Sequence, residues 1–400
     1  MHRVSQNAAS GSTTTMTRES NTQTVSEIIE ELRSIAVHSL ARMYRPEERL
    51  FAFRLRKNGR SEILEGVSRR YTAMALIGLA GEDPCVVTKV LGRHRPQDVC
   101  ARLFKDLDRM KDLGEVALTT WAIRALDCSQ VSTAVEALRR MEPGRRPYPT
   151  MELSWALAAL VIDGRDAADA SLADNIAEAL LASFNRPSGI FARWSAGSKA
   201  PKFRAHASCF ANFVYPIQSL SYYHLATGNM KAIEAAVRCA ERMCQLQGPE
   251  GQWWWYYDSR TGRVLERYPV YAVHQDAMAP MALFALEKAI GRDYHASIEK
   301  GLRWLIDPAE VSESLIDSER NIVWRKVARR EPWRITRALQ TASSYLHPSL
   351  RVPGVDVLFP PCSIDYETRP YHMGWILHAW PSSREKKSVT QVSLLEERVI

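Results

Sequence analysis

From Val25 onward the chain alternates between two kinds of helix-forming segment, and that alternation restricts the fold more than any other feature. Residues 68–80 (SRRYTAMALIGLA), 116–126, 149–161, 207–226, 275–290 and 368–380 are apolar on nearly every side. Between them lie segments with one polar face, such as SEIIEELRSIAVHSLARMY, QVSTAVEALRRM, NMKAIEAAVRCAERMCQLQ and DYHASIEKGLRWLID. A helix that is apolar all round must be covered all round, whereas an amphipathic helix can lie at the surface. Six helices of the first kind, each matched to one of the second, predict an inner ring inside an outer ring, built from helical hairpins. The expected class is therefore all-α, an (α/α)6 toroid occupying residues 25–381 as one domain.

The flanks differ from the ring. Residues 1–24 are polar and lack the apolar core of a signal peptide, which predicts a disordered tail. Residues 382–400 form a charged tail. Ser26 is the expected N-cap of the first helix, and Arg45–Gly66 is expected to be a loop. Residues 260–273 are the one place where strands are expected, with a turn at Thr261-Gly262.

Charge and composition narrow the function classes. The net charge of +8 comes from 53 basic and 45 acidic residues spread along the chain, without the stripe or tail of a nucleic-acid binder. No apolar run reaches membrane-spanning length. The seven cysteines are scattered and form no C-x-x-C, which fits a reducing compartment and a cytoplasmic location. Nucleotide, dinucleotide, hydrolase-elbow and zincin motifs are missing, so no cofactor is expected. His206 and Cys209, or Cys362 and His372, fall short of a four-ligand set, and no metal is expected.

One short motif stands at a hairpin junction. Gln247-x-x-x-Gly251-x-Trp253 directly follows an amphipathic segment. Asn185-x-x-x-Gly189-x-Phe191 repeats it in weaker form, and Asp317-x-x-x-Asn321-x-Val323 more weakly still. The amide can close hydrogen bonds at the helix end, the glycine permits a left-handed turn, and the aromatic ring can wedge one hairpin against the next. This spacing resembles the QW-type repeat of the α/α-toroid superfamilies. Those include the terpenoid cyclases and protein prenyltransferase β-subunits, and the six-hairpin glycosidases, lyases and uronyl epimerases. The cyclase branch would imply an Asp-x-Asp-Asp acid or an Asp-Asp-x-x-Asp metal site, and the chain has neither.

In such toroids the resemblance implies a functional mouth where the inner helices begin. Here those starts are polar: Arg69-Arg70-Tyr71, Lys202-Phe203-Arg204-Ala205-His206, His274-Gln275-Asp276 and Arg369-Pro370-Tyr371-His372. Helix N-termini and arginine both favour anions. Arg70, Arg204, His206, Gln275 and Arg369 are thus candidate substrate-binding residues, with Trp254, Trp255 and Tyr257 as aromatic walls. Asp276, His274, His372 and Tyr371 are the candidate catalytic groups. A Tyr/His pair with an arginine would suit β-elimination or C5 proton abstraction on a uronate; two carboxylates, Asp276 with Glu367 or Asp365, would suit hydrolysis. The expected partner is a small-molecule or oligosaccharide substrate, and no signal for oligomeric state is present. An isoprenoid-processing enzyme and a non-catalytic glycan-binding or scaffold toroid are the alternatives.

Overall fold

Thr24 begins the first helix. Its hydroxyl accepts the Glu27 N–H, and the Glu27 carboxylate accepts the Thr24 N–H at 2.7 Å. This reciprocal cap needs a glutamate three residues on, which Thr24 has and the expected cap Ser26 does not. The computed structural model describes residues 23–164, 168–197, 204–332 and 335–382. Residues 1–22 of the tail expected at 1–24, residues 383–400 of the tail expected at 382–400, and Lys202 and Phe203 of the polar helix starts lie outside the described residues.

Helix α1 (Val25–Met43) is amphipathic, and the next helix, α2 (Arg69–Leu79), is buried from Thr72 to Leu79. The pairing then recurs. Outer α3 (Pro84–Leu91) and α4 (Pro96–Phe104) precede inner α5 (Leu113–Ala125), α6 (Val131–Arg140) precedes α7 (Thr150–Val161), and α8 (Ala170–Ala182) precedes α9 (Ala211–Thr227). Outer α10 (Met230–Gln245) leads to α11 (Ala279–Ile290). Outer α12 (His295–Ile306) leads, past α13 (Ile335–Leu346) and α14 (Val355–Leu358), to α15 (Pro370–Ala379). Helices α2, α5, α7, α9, α11 and α15 each pack on the next, and α15 packs on α2, so the inner ring closes. These are the six apolar segments of the sequence, and one hydrophobic cluster runs through all of them.

The closing seam is unusually tight. A Cβ on Gly78 of α2 would lie 2.1 Å from the Gly374 carbonyl oxygen of α15. A Cβ on Gly374 would lie 2.5 Å from that of Met74. The first and last inner helices therefore touch backbone to backbone, and only glycine fits there.

The two rims differ. Inner-to-outer connections are short, whereas outer-to-inner connections are long and carry the strands. The expected loop Arg45–Gly66 is in fact mostly β: β1 (Tyr44–Arg45) pairs with β2 (Leu50–Phe51), and β3 (Arg54–Asn58) with β4 (Ser61–Glu65). Its many charged side chains conceal an alternation in which Leu55 is the buried member. Further on come β5 (Phe184–Asn185), β6 (Ile190–Phe191), β7 (Ala207–Cys209), β8 (Tyr256–Asp258), β9 (Arg263–Glu266) and β10 (Val270–Tyr271). The strands expected within 260–273 are thus present, with Gly262 in the turn at φ 70°. The last are β11 (Ile316–Asp317), β12 (Ile322–Val323), β13 (Lys326–Ala328), β14 (Ser363–Asp365) and β15 (Glu367–Thr368). Sheets β7-β8-β9, β10-β13-β14 and β15-β3-β4 join successive connections into a wall around one side of the mouth. The connections before α5 and α7 carry none of these strands, so the wall is low there.

Every outer-to-inner connection also contains a residue at positive φ: Arg49, Asp106, Glu142 with Gly144, Gly189, Gly251 and Asn321. In four of them the residue two positions later, Phe51, Phe191, Trp253 or Val323, is fully buried. At the best copy, Gln247 Nε2 donates to the carbonyls of Gly251 and of Ser297 on α12, both at 2.9 Å. Gly251, at φ 102°, lies so close to α12 that a Cβ would be 2.1 Å from the Lys300 oxygen. The turn fastens one hairpin to the next outer helix.

Candidate active site

The inner helices all begin at the strand-bearing rim, and their first residues meet there in three groups. In the first, Arg70 of α2 donates to Asp112, the N-cap of α5, and to Glu152 in the first turn of α7 at 2.9 Å. Its guanidinium lies 5.7 Å from the centre of a Trp155 ring. Burial pushes the Glu152 carboxyl above its ordinary value, and Arg70 only partly offsets this.

The second group surrounds the start of α15. Glu367 accepts from Arg54 at 2.8 Å, Arg325 at 2.6 Å and Arg369 at 2.7 Å. Arg369 also donates to the Tyr71 hydroxyl at 2.8 Å. Tyr71 stacks on Phe53 at 5.5 Å and meets Tyr371 at 4.8 Å, and Arg325 lies 5.2 Å from the centre of the Tyr271 ring. Burial raises the Tyr371 phenol, with Arg325 and Arg369 opposing, so it keeps its proton at neutral pH.

The third group is deepest. His372 Nε2 lies 2.8 Å from both oxygens of Asp276, and the pair is almost sealed, with Asp276 at 0% and His372 at 3% exposure. Burial raises the Asp276 carboxyl while His372 pulls it down. Asp276 sits in a widened turn, His274–Met278, that opens α11. Pro280 has no N–H for the Asp276 carbonyl four residues before it, and Trp380 Nε1 donates to that oxygen instead, at 2.6 Å. His274 packs on Phe210 at 4.4 Å and Tyr271 at 5.1 Å, and burial pushes its pKa down to about 3.

Below the mouth, aromatic rings fill the bore. Trp155 and Tyr215 are 5.2 Å apart, Trp375 Nε1 donates to the Tyr215 hydroxyl at 3.0 Å, and Trp375 meets Trp121 at 5.7 Å.

Several of the expected residues therefore come together: Asp276, His274, His372, Tyr371 and Arg369 are neighbours, and Arg70 stands across the mouth on the low side. Others are used differently. Gln275 is fully buried, accepting from Trp253 N–H and donating to the Tyr271 carbonyl, both at 3.1 Å. Tyr257 is a core residue whose hydroxyl donates to the Trp254 carbonyl at 2.9 Å. Trp254 is buried against Tyr268 at 5.8 Å, whereas half-buried Trp255 reaches Tyr271 at 5.6 Å and so touches the mouth. His206 ties to Ser344 of α13 at 2.9 Å, and Arg204 is exposed.

Arg325, Tyr271 and Glu152 carry much of the mouth and were not singled out from the sequence. A signal for Arg325 existed. Phe53, Arg193, Trp255 and Arg325 each stand two residues beyond a buried anchor, and extended backbone puts such residues on one face. Phe53, Trp255 and Arg325 are the ones that contact the mouth. Among the described residues, the one grouping with metal-ligand spacing is Glu287, Asp293 and His295, partly exposed near the start of α12 and remote from this site.

No known family model and no curated protein sequence matches the chain. Solved structures do. An unsaturated glucuronyl hydrolase from a Bacillus species, responsible for the degradation of glycosaminoglycan, is similar at 10% identity and a TM-score of 0.56, covering 88% of this chain and 95% of that one. A cellobiose 2-epimerase from Bacillus thermoamylovorans is similar at 9% identity and 0.57, covering 89% and 99%. A possible member of the GH105 family from Salmonella enterica gives 11% and 0.57, covering 91% and 95%. No helix among the described residues is long and apolar enough to cross a membrane. The chain has the six-hairpin toroid fold of these sugar enzymes.

Proposed function

We propose that the chain is a carbohydrate-active enzyme that binds a uronate-containing oligosaccharide at the strand-bearing mouth and moves a proton on it. The supporting observation is the join between the Asp276–His372 pair and the Tyr371–Arg325–Arg369 cluster on α15 and its neighbours. Asp276 accepts from His372 Nε2, which makes Nδ1 the lone-pair nitrogen and His372 the candidate base. Tyr371, held protonated, is the candidate acid. Arg325 and Arg369 would neutralise the carboxylate and any enolate charge developing beside it. Tyr71, Tyr271 and Trp255 would cover the C–H faces of the sugar.

Proton transfer is favoured over two-carboxylate hydrolysis because the carboxylates of the mouth are engaged. Asp276 holds His372, Glu367 holds three arginines, and Glu152 holds Arg70. The fold likeness to an unsaturated glucuronyl hydrolase and a cellobiose 2-epimerase supports a saccharide of this kind. The test is incubation with uronate-containing oligosaccharides in deuterated water, followed by proton NMR. The expected result is either deuterium on the carbon next to the carboxylate in epimerised saccharide, or a vinyl proton signal from a C4–C5 double bond formed as the 4-O-linked sugar leaves. Release of a free sugar with neither exchange nor a vinyl signal would replace the reading with hydrolysis, and no change in any saccharide would leave a binding toroid.

A further inference from the structure

A large cavity among the described residues is at the other end of the bore. It encloses about 880 Å³ and is lined by the last turns of all six inner helices, among them Ile77, Trp121, Tyr222, Met281, Phe284 and His378. Its walls are mainly aliphatic and aromatic. The buried, mutually contacting rings of Trp155, Tyr215, Trp375 and Trp121 lie between it and the mouth.

Two hydrogen-bond donors, on half-buried Tyr222 and His378, are open to this chamber; Trp121 is buried in its wall. Gln218 donates one N–H to the Tyr222 hydroxyl oxygen and one to His378 Nε2, each at 3.1 Å. Both groups are thereby acceptors toward Gln218, which leaves the Tyr222 O–H and the His378 Nδ1–H to donate elsewhere. A buried donor without an acceptor is costly, and a ligand oxygen would relieve that cost.

The charge pattern selects the rest of the ligand. Six helices end here with free carbonyls, which disfavours an anion. Burial holds His378 neutral, with its pKa pushed down to about 4, so the chamber has no fixed cation beneath the Lys288 and Asp163 that line its edge. We propose that this second chamber is a binding site for an uncharged, mainly apolar small molecule that presents a carbonyl or ether oxygen to Tyr222 and His378. Its volume is in the range of small-molecule sites. The site is independent of the mouth and of any reaction there.

The test uses the full chain with Nile red, which is neutral, apolar and carbonyl-bearing, and fluoresces when it leaves water. Saturable binding of one dye per chain is expected. Tyr222→Phe keeps the ring and deletes the O–H donor, and should weaken binding about threefold to tenfold. Ala285→Trp fills the chamber from α11 and should abolish binding with the thermal melt retained. If Ala285→Trp fails to fold, Tyr222→Phe decides alone. Absence of saturable binding to the full chain, or unchanged affinity in folded Tyr222→Phe, overturns the proposal.

Discussion

Replacing Asp276 and His372 singly and then together separates a structural role from a chemical one. The carboxylate is fully buried, and both its oxygens lie 2.8 Å from His372 Nε2. Removing either partner strands the other in a medium of low dielectric, which costs about 3–5 kcal/mol. Replacing both with apolar residues, Asp276→Val with His372→Leu, removes the stranded group and should cost about 1 kcal/mol or less. The double variant should therefore be more stable than either single one. His372→Leu adds a pH signature. The lone Asp276 carboxyl has a raised pKa, so the folded chain holds a proton that the unfolded chain releases. Its deficit should shrink as pH falls below the raised folded pKa, by about 1.4 kcal/mol per unit, until the carboxyl of the unfolded chain is protonated as well. Guanidinium unfolding followed by circular dichroism measures all of these quantities. Additive losses, or a His372→Leu deficit independent of pH, would refute the buried-pair argument. Because the double variant stays folded, its turnover then reports on chemistry alone. Wild-type turnover in it would remove the pair from the mechanism.

Three further outcomes are expected. Gly374→Ala should force α15 from α2 by about 1 Å, since its Cβ would meet the Met74 oxygen at 2.5 Å; a loss of about 3 kcal/mol in urea unfolding is expected, and a loss under about 0.5 kcal/mol would contradict the seam. His274 and His378 are neutral when folded, with pKa values near 3 and 4 against 6.5 for the free side chain; the unfolded chain binds the extra protons, so stability should be constant above about pH 6.5 and fall below it. Each histidine should contribute about 2 kcal/mol of that loss down to about pH 5, and His378→Gln should remove its share of the slope. Arg325→Gln should raise KM for a uronate substrate more than for its neutral methyl ester, and equal effects on both would argue against carboxylate recognition.

The ring was legible because its signal is repeated. Six all-apolar segments and their amphipathic partners gave the hairpin count without any motif. The turns were legible only where residue type followed backbone geometry. Gly251 and Gly189 announce a positive φ, but Arg49 adopts φ 51° with no such signature, and the fourth buried anchor, Phe51, went unseen with it. The strands at 54–65 were hidden because short, solvent-facing strands can be almost wholly charged. At the site, the helix starts identified Asp276, His372, Tyr371 and Arg369. What periodicity could not reveal is which way each aromatic of the Trp253–Tyr257 run points, because the chain leaves one extended turn and enters a sheet there. Arg325 comes to the mouth through a sheet that pairs β13 with β10 and β14, and long-range pairing of that kind has no local trace.

The seam between Gly78 and Gly374 joins the first inner helix to be made with the last. A growing chain presents α2 early, but α15 emerges only after the long excursion that follows α12. Until then the five finished hairpins form an open arc, with the apolar flanks of α2 and α11 uncovered. Such an edge is what chaperones hold and what neighbouring chains stick to. A message cut short before Pro370 would thus yield not a smaller ring but an unclosed one. Arrival of that single helix closes the ring, because it packs on both α2 and α11.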